Sequence, residues 1–155
     1  MIRTLFYCLI FFLLLRFSGI LAQQGKVDHS FNVFDDGQYG DGFDGTVRTL
    51  LLQRDGNLIV GGDYLSLNGS PVSYLTRLNP NGSINESFNT GTGFNGKIYA
   101  SYLQSDGKII LGGSFTSYNG ISAGRLIRLN SDGSYDPTFN TSLGATTGIV
   151  YDIEM

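Results

Sequence analysis

The sequence contains two tandem copies of one 51-residue unit, and this repeat limits the folds that the chain can adopt. Residues 45–95 align with residues 96–146 without a gap, and 21 of the 51 positions are identical. Such a repeat indicates tandem copies of one supersecondary unit. A residue that recurs in each copy is expected to build that unit, because a catalytic site needs only one constellation. The recurring pairs include Gln53 and Gln104, Asp55 and Asp106, Gly56 and Gly107, Gly61 and Gly112, Gly62 and Gly113, Arg77 and Arg128, Asn79 and Asn130, and Phe88 and Phe139.

Each copy alternates short apolar runs with dipeptides that form turns. In the first copy, residues 47–53 and 58–64 are predicted strands, and residues 54–57 are the turn between them. This turn contains Asp-Gly, which supplies the positive φ that a tight hairpin needs. The second copy repeats these segments at 98–104, 105–108 and 109–115.

A longer link centred on Asn-Gly follows, and residues 74–79 and 84–88 are a predicted third strand and a short fourth strand. The corresponding fourth strand of the second copy, 135–139, contains Pro137, which requires an edge position. Glycine accounts for 22 of 155 residues, which disfavours a helical bundle. The sequence therefore predicts an all-β fold of tandem four-stranded antiparallel blades of a β-propeller.

Three segments of these repeats resemble the delta-60 repeat of secreted bacterial β-propeller proteins. They are residues 52–62 (LQRDGNLIVGG), residues 128–140 (RLNSDGSYDPTFN) and the joint Gly93-Phe94-Asn95-Gly96. The resemblance covers nearly all of 28–155. It implies a secreted or cell-surface propeller, often part of a longer chain with a C-terminal sorting domain, and it implies no catalytic residues.

Residues 1–22 have the order of a secretory signal peptide. Arg3 precedes an apolar run from Leu5 to Leu15, and small residues end the segment at Ala22. This run is much shorter than the ~20 residues that span a bilayer, so we expect no membrane span after cleavage. The location that we predict is secreted or cell surface.

Charge and composition exclude several classes of function. The net charge of −3 argues against a nucleic-acid partner. Cys8 and His29 are the single cysteine and the single histidine, and Cys8 lies in the leader. The processed chain therefore has no disulfide, no thiol nucleophile and no histidine cluster for a metal.

The remaining organisation follows from the repeat boundaries. Residues 23–44 are a predicted N-terminal strand, the outer strand of a closing blade, followed by an acidic glycine-rich loop. Residues 45–95 and 96–147 are the two blade repeats, and 148–155 align with the first strand of an incomplete third repeat. Because a ring needs four or more blades, we expect the N-terminal fragment of a larger ring, whose partners are further blades of the same chain. The alternative is a two-blade protein that oligomerises into a ring.

The candidate metal ligands lie in the acidic loop, and no other cofactor is predicted. Asp35, Asp36, Asp41 and Asp44 could bind a cation such as calcium, but a solvated glycine-rich connection is the favoured explanation for them. Residues 79–85 and 130–136 also resemble part of a calcium loop. Phenylalanine stands where that loop needs a bidentate glutamate, so turn formation is the favoured explanation.

Other recurring residues also have structural interpretations. The Gly-Gly pairs are expected to allow close strand packing, since they lack the Lys-Ser/Thr of a phosphate loop. The recurring arginines are expected to pair with a carboxylate or with backbone carbonyls between strands.

No catalytic set can be assembled, so the predicted function is not enzymatic. We expect an extracellular binding or adhesion module for a glycan or a protein. The alternatives are a structural spacer in a large surface protein and a propeller enzyme that acts on polysaccharide. Tyrosines could stack on a sugar or pack in the core. The candidates are Tyr39, Tyr64, Tyr74, Tyr118 and Tyr135.

Overall fold

The computed structural model describes residues 42–139 and 147–154. The predicted signal peptide, the N-terminal strand and most of the acidic loop lie outside these residues. The described residues form ten β-strands, and they include no helix that could cross a membrane. The strands are β1 (Thr46–Leu52), β2 (Leu58–Asp63), β3 (Ser66–Leu67), β4 (Ser70–Pro71), β5 (Leu75–Leu78), β6 (Ile98–Leu103), β7 (Ile109–Gly113), β8 (Ser117–Tyr118), β9 (Ile121–Ser122) and β10 (Leu126–Leu129).

Each repeat forms one three-stranded antiparallel sheet. The strand order is β1-β2-β5 in the first sheet and β6-β7-β10 in the second. The first two strands of each sheet are joined by the Asp-Gly turn, so that Leu52 pairs with Leu58 and Leu103 with Ile109. The predicted all-β class and the antiparallel order of the strands are confirmed.

The fourth strand is much shorter than the sequence predicts. It consists of a single bridge in each repeat, between Leu78 and Ile84 and between Leu129 and Tyr135. The chain then turns away, because the next side chain accepts hydrogen bonds from the backbone two residues later. Asn85 Oδ1 accepts the backbone N–H of Ser87 at 3.1 Å in this way, and the second repeat has the equivalent turn at 136–138. These local turns replace the ladder that 84–88 and 135–139 were expected to form.

The links between the second and third strands contain small hairpins that the sequence pattern did not predict. β3 pairs with β4, and β8 pairs with β9. At the tip of the first hairpin, Asn68 and Gly69 have φ angles of 48° and 76°. Positive φ at both central residues is the geometry that Asn-Gly favours in a two-residue hairpin.

The main hydrophobic core lies between the two sheets. Ile59 and Leu75 of the first sheet belong to the same buried cluster as Ile109, Leu111 and other residues of the second. A smaller cluster packs on the opposite face of the first sheet. The two sheets contact each other mainly through β1 and β6. We call the side of the sheets formed by these two strands the inner edge.

The segment 147–154 lies against the second sheet but forms no strand. Its backbone contact is the bond from Val150 N–H to Gly113 O, at 3.2 Å, and one such bond does not make a ladder. The described residues of 148–155 therefore form no strand among themselves, and their assignment to the first strand of a third repeat stays a prediction. The register also differs from the alignment. Ile98 faces Gly61 in the first sheet, whereas Val150, and not Ile149, faces Gly112 in the second.

Candidate functional site

The recurring Gln-x-Asp-Gly residues form the turn between the first two strands of each sheet. Gln53 N–H donates to Asn57 O at 2.8 Å, and Gly56, with a φ of +83°, donates to Gln53 O at 3.0 Å. The Asp55 carboxylate accepts the backbone N–H of Asn57, and this bond lowers the pKa of Asp55. The second sheet has the corresponding turn bonds among Gln104, Asp106, Gly107 and Lys108.

The recurring glycines lie where other atoms approach the strand closely. A Cβ atom on Gly61 would stand 2.9 Å from methyl carbons of both Ile98 and Thr49. Such a distance is shorter than van der Waals contact, so a side chain there would push the second sheet away. The other glycines in this position meet similarly close neighbours: Gly62 meets Thr46, Gly112 meets Val150 and Gly113 meets Lys97.

The recurring arginine of the second sheet has a carboxylate partner. Arg128 Nε donates to Asp136 Oδ2 at 2.8 Å, and Lys108 Nζ lies 2.9 Å from the same oxygen. Asp136 also accepts the Thr138 hydroxyl, and these hydrogen bonds hold the pKa of Asp136 well below its usual range. The Arg128 guanidinium covers the ring of Phe139, with 4.9 Å between Cζ and the ring centroid.

Among the described residues, the equivalent arginine of the first sheet has no carboxylate partner, because asparagine replaces aspartate. Arg77 donates to Asn85 Oδ1 at 3.0 Å and to the backbone carbonyl of Ser131, in the second repeat, at 3.1 Å. It also covers the ring of Phe88. Arg77 Nε is buried and has no hydrogen-bond partner within the described ranges. The recurring Asn79 and Asn130 have turn-forming roles, since each donates to the serine hydroxyl four residues later.

Of the four candidate metal ligands, only Asp44 lies among the described residues. Its Oδ1 accepts the backbone N–H groups of Leu65 and Ser66, at 2.8 and 2.9 Å. These bonds lower the pKa of Asp44, the bond from Ser66 most strongly. Asn95 accepts the corresponding two N–H groups in the second repeat, so the position needs an acceptor and not a charge. Asp35, Asp36 and Asp41 lie outside the described residues.

The segments that resemble part of a calcium loop are turns. Asn81 Oδ1 accepts the backbone N–H and the hydroxyl of Ser83, at 3.1 and 2.8 Å. Asp132 makes the same two bonds with Ser134, and they lower the pKa of Asp132. Across 42–139 and 147–154, no three histidine, cysteine or acidic residues form a group that could hold a metal ion.

The described tyrosine candidates belong to the core or lie against it. Tyr64 and Tyr118 are buried and donate to the backbone carbonyls of Val60 and Gly133, each at 2.6 Å. Burial raises the pKa of both phenols. Tyr74 and Tyr135 are half-buried against the core between the sheets, and Tyr39 lies outside the described residues. Tyr64 and Tyr118 are therefore core residues and offer no exposed ring to a sugar.

A β-bulge occurs at the same place on the inner edge of each sheet. In the first sheet Val47 pairs with Gly62 and Thr49 with Gly61, which leaves Arg48 without a partner in the ladder. In the second sheet the same shift leaves Tyr99 without one. A bulge bends its strand and changes the direction of a side chain. The two repeats thus present different side chains from one backbone position.

These bulge residues stack on one another. Arg48 Cζ lies 4.7 Å from the centroid of the Tyr99 ring. The ring of Tyr151, which follows Val150 as Tyr99 follows Ile98, meets the Tyr99 ring edge to face at 5.0 Å. Tyr151 is 66% exposed. We call Arg48, Tyr99 and Tyr151 the inner-edge ladder.

A charged group flanks this ladder. Lys97 Nζ lies 2.6 Å from Asp63 Oδ2, and Arg48 Nη2 lies 3.7 Å from the same oxygen. The hydrogen bond to Asp63 raises the pKa of Lys97, so this lysine is charged at neutral pH. Within 42–139 and 147–154, the contact of Arg48 with a carboxylate is this long one to Asp63, which leaves its guanidinium with hydrogen-bonding capacity.

Two open clefts occur elsewhere on the surface. One, of about 280 Å³, lies between the two Asp-Gly turns and contains Gln53 Oε1, a buried acceptor without a partner among the described residues. The equivalent Gln104 Oε1 accepts Arg128 Nη1 at 3.5 Å. The other, of about 400 Å³, lies between Leu67 and Ile84. The first cleft is lined mostly by residues that recur in both repeats, so it belongs to the construction of the sheets.

A family model described as "Domain of unknown function (DUF5122) beta-propeller" matches residues 53–88 and 104–139. The two units are β-propeller repeats. Neither a curated protein nor a solved structure matches the chain. Both matched segments begin at the glutamine of the Asp-Gly turn and end at the phenylalanine that the recurring arginine covers.

The inner-edge ladder lies outside both matched segments of the propeller blades. Reasoning from the sequence missed Arg48, Tyr99 and Tyr151 as candidate site residues. The alignment does not single out Arg48 and Tyr99, because most other positions of the two aligned strands, TVRTLLL and KIYASYL, differ as well. Asp63, which aligns with Ser114, is a further position where the repeats differ.

Proposed function

We propose that this chain is a non-catalytic binding or adhesion module of the delta-60 propeller type, which acts outside the cell or at its surface. Its contact surface is the inner-edge ladder. The observation that carries the proposal is that one bulge position presents arginine in one blade and tyrosine in the next. A residue needed to build the blade would be expected to recur, as the turn and glycine residues do.

The chemistry of the ladder favours binding over catalysis. Cleavage of a glycosidic bond needs two carboxyl groups, one on each side of the bond. Asp63, the carboxylate beside the ladder, is held by Lys97 and lies near Arg48. Its Oδ2 is engaged by Lys97, so it does not stand as one of two opposing carboxyl groups beside an open cleft. Exposed aromatic rings with adjacent charged groups are instead suited to holding a ligand.

The proposed location rests on the leader. Residues 1–22 have the order of a secretory signal peptide. Protein secreted by the native host should therefore begin near Gln23, which intact mass measurement would show. Full-length protein with an intact Met1 inside the cell would contradict the proposed location.

Binding is tested on a glycan array with the purified chain and two ladder variants, Arg48→Gln and Tyr151→Ala. Both variants should lose signal for any glycan that the parent protein binds. Arg54→Gln is the matched control, since Arg54 is also exposed but lies in the Asp-Gly turn beyond the far end of β1. Equal signals for all four proteins would contradict a role for the ladder. No binding by the parent protein would favour the structural spacer.

A further inference from the structure

We propose that the inner-edge ladder binds a sugar that carries a carboxylate, a hexuronate, with the carboxylate on Arg48 and the sugar ring on Tyr151. This inference rests on the proposed binding function and adds the class of ligand. The protein as a whole is acidic, with a net charge of −3, so an anionic ligand needs a cation that no carboxylate pairs at short distance.

Two cations lie beside the ladder, Arg48 and Lys97. Among the described residues, Asp63 is the carboxylate within 4 Å of them. Lys97 takes the short bond to Asp63 at 2.6 Å, whereas Arg48 stands 3.7 Å away. The nearby Asp152 is an acid too, and its carboxylate accepts the N–H of Ile153. Of these two cations, Arg48 is therefore the one with the longer contact to a carboxylate.

Arginine also has the right shape for this ligand. Its planar guanidinium binds a carboxylate through two parallel hydrogen bonds. The guanidinium stands over the Tyr99 ring, with 4.7 Å between Cζ and the ring centroid. Because the Arg48 side chain is 35% exposed, its N–H groups can reach a ligand without disturbing the blade.

The aromatic rings of the ladder provide the surface on which the sugar ring would stack. Tyr99 is covered by Arg48 and also contacts Tyr151, whereas Tyr151 is 66% exposed. An exposed ring beside a partly exposed guanidinium offers an apolar surface and an anion contact side by side. A hexuronate presents both features, since its ring carbons are apolar on one face and its carboxylate projects from the ring.

The experiment compares three probes by isothermal titration: a trimer of galacturonate, its methyl ester, and a short polyglutamate peptide. The acid trimer should bind at least about tenfold more tightly than the ester, since the loss of a charge-assisted hydrogen bond has an effect of that order. It should also bind more tightly than the peptide, which has carboxylates but no sugar ring. Raising the salt concentration should weaken binding of the acid but not of the ester.

Variants then assign the contacts. Arg48→Gln should abolish the preference for acid over ester, and Arg48→Lys should restore part of it. Tyr151→Ala should weaken both sugars, and Arg54→Gln should change nothing. Circular dichroism and thermal melting of each variant show that the blades remain folded.

The outcomes separate the inference from the proposed function. Equal affinity for the acid and the ester would overturn the hexuronate inference and leave the binding function intact. Equal affinity for the peptide and the acid trimer would overturn the assignment to a sugar. If neither sugar nor peptide bound, the hexuronate inference would be refuted, and the glycan array would decide the binding function separately.

Discussion

Replacement of Ile98 by alanine should lower the free energy of unfolding by about 3 kcal/mol, because this side chain joins the two blades. Ile98 is fully buried, and one of its methyl groups fills the space beside Gly61. The change removes three carbon atoms, which at about 0.8 kcal/mol each gives roughly 2.4 kcal/mol. The cavity that remains raises the loss, to within the range of about 2–5 kcal/mol measured for such changes.

The matched control is Val47→Ala, at the equivalent position of the first repeat. Val47 is 36% exposed, and the change removes two carbon atoms, so the loss should stay below about 1 kcal/mol. Urea denaturation of both variants, followed by circular dichroism, gives the two values. If the two variants lost the same free energy, the blades would not be held together through Ile98 as the structure indicates.

Three further changes test the polar contacts. Asn85→Asp should raise the melting temperature by a few degrees by giving the buried Nε of Arg77 a carboxylate partner, and a lower melting temperature in calorimetry would contradict this. Tyr118→Phe removes a 2.6 Å hydrogen bond to a buried carbonyl and should cost about 1–2 kcal/mol in urea denaturation; no loss would show that water replaces the hydroxyl. The Thr138 hydroxyl and two cations lower the pKa of Asp136, so this group stabilises the fold above about pH 4 and less as pH falls. Thermal melts should then show a weaker loss of stability in acid for Asp136→Asn, and parallel curves would exclude this contribution.

The hairpin of the first two strands of each blade was predictable because its signals are local. Asp55-Gly56 supplies the positive φ of the turn, and the apolar runs on either side pair as the sequence suggests. The extent of the fourth strand was not predictable from its apolar residues alone. Asn85 and Asp136 bind the backbone two residues later, and this local bond ends the ladder after one bridge.

The candidate site depended on contacts between repeats, which a pattern within one repeat does not contain. Arg48 and Tyr99 are 51 positions apart, and only the packing of β1 against β6 brings them together. The position of Tyr151 depends in addition on a shift of one residue relative to the alignment. For Asp44, the charge of the side chain suggested a metal ligand. In the structure Asp44 accepts the same kind of backbone hydrogen bond as the neutral Asn95 does in the next repeat.

In most strands, one residue is selected both for building the sheet and for the chemistry of its side chain. At the unpaired bulge residue these two requirements fall on different positions. Its neighbours Val47 and Thr49 pair with the adjacent strand, so changes there alter the blade. A change at Arg48 or Tyr99 leaves those backbone bonds in place and alters only the chemistry that the blade displays. Duplication of the repeat would add another such position beside the last, and contacts to successive units of one polymer would reinforce each other through their high effective concentration. A chain built this way can therefore acquire a new specificity by single substitutions while its scaffold stays the same.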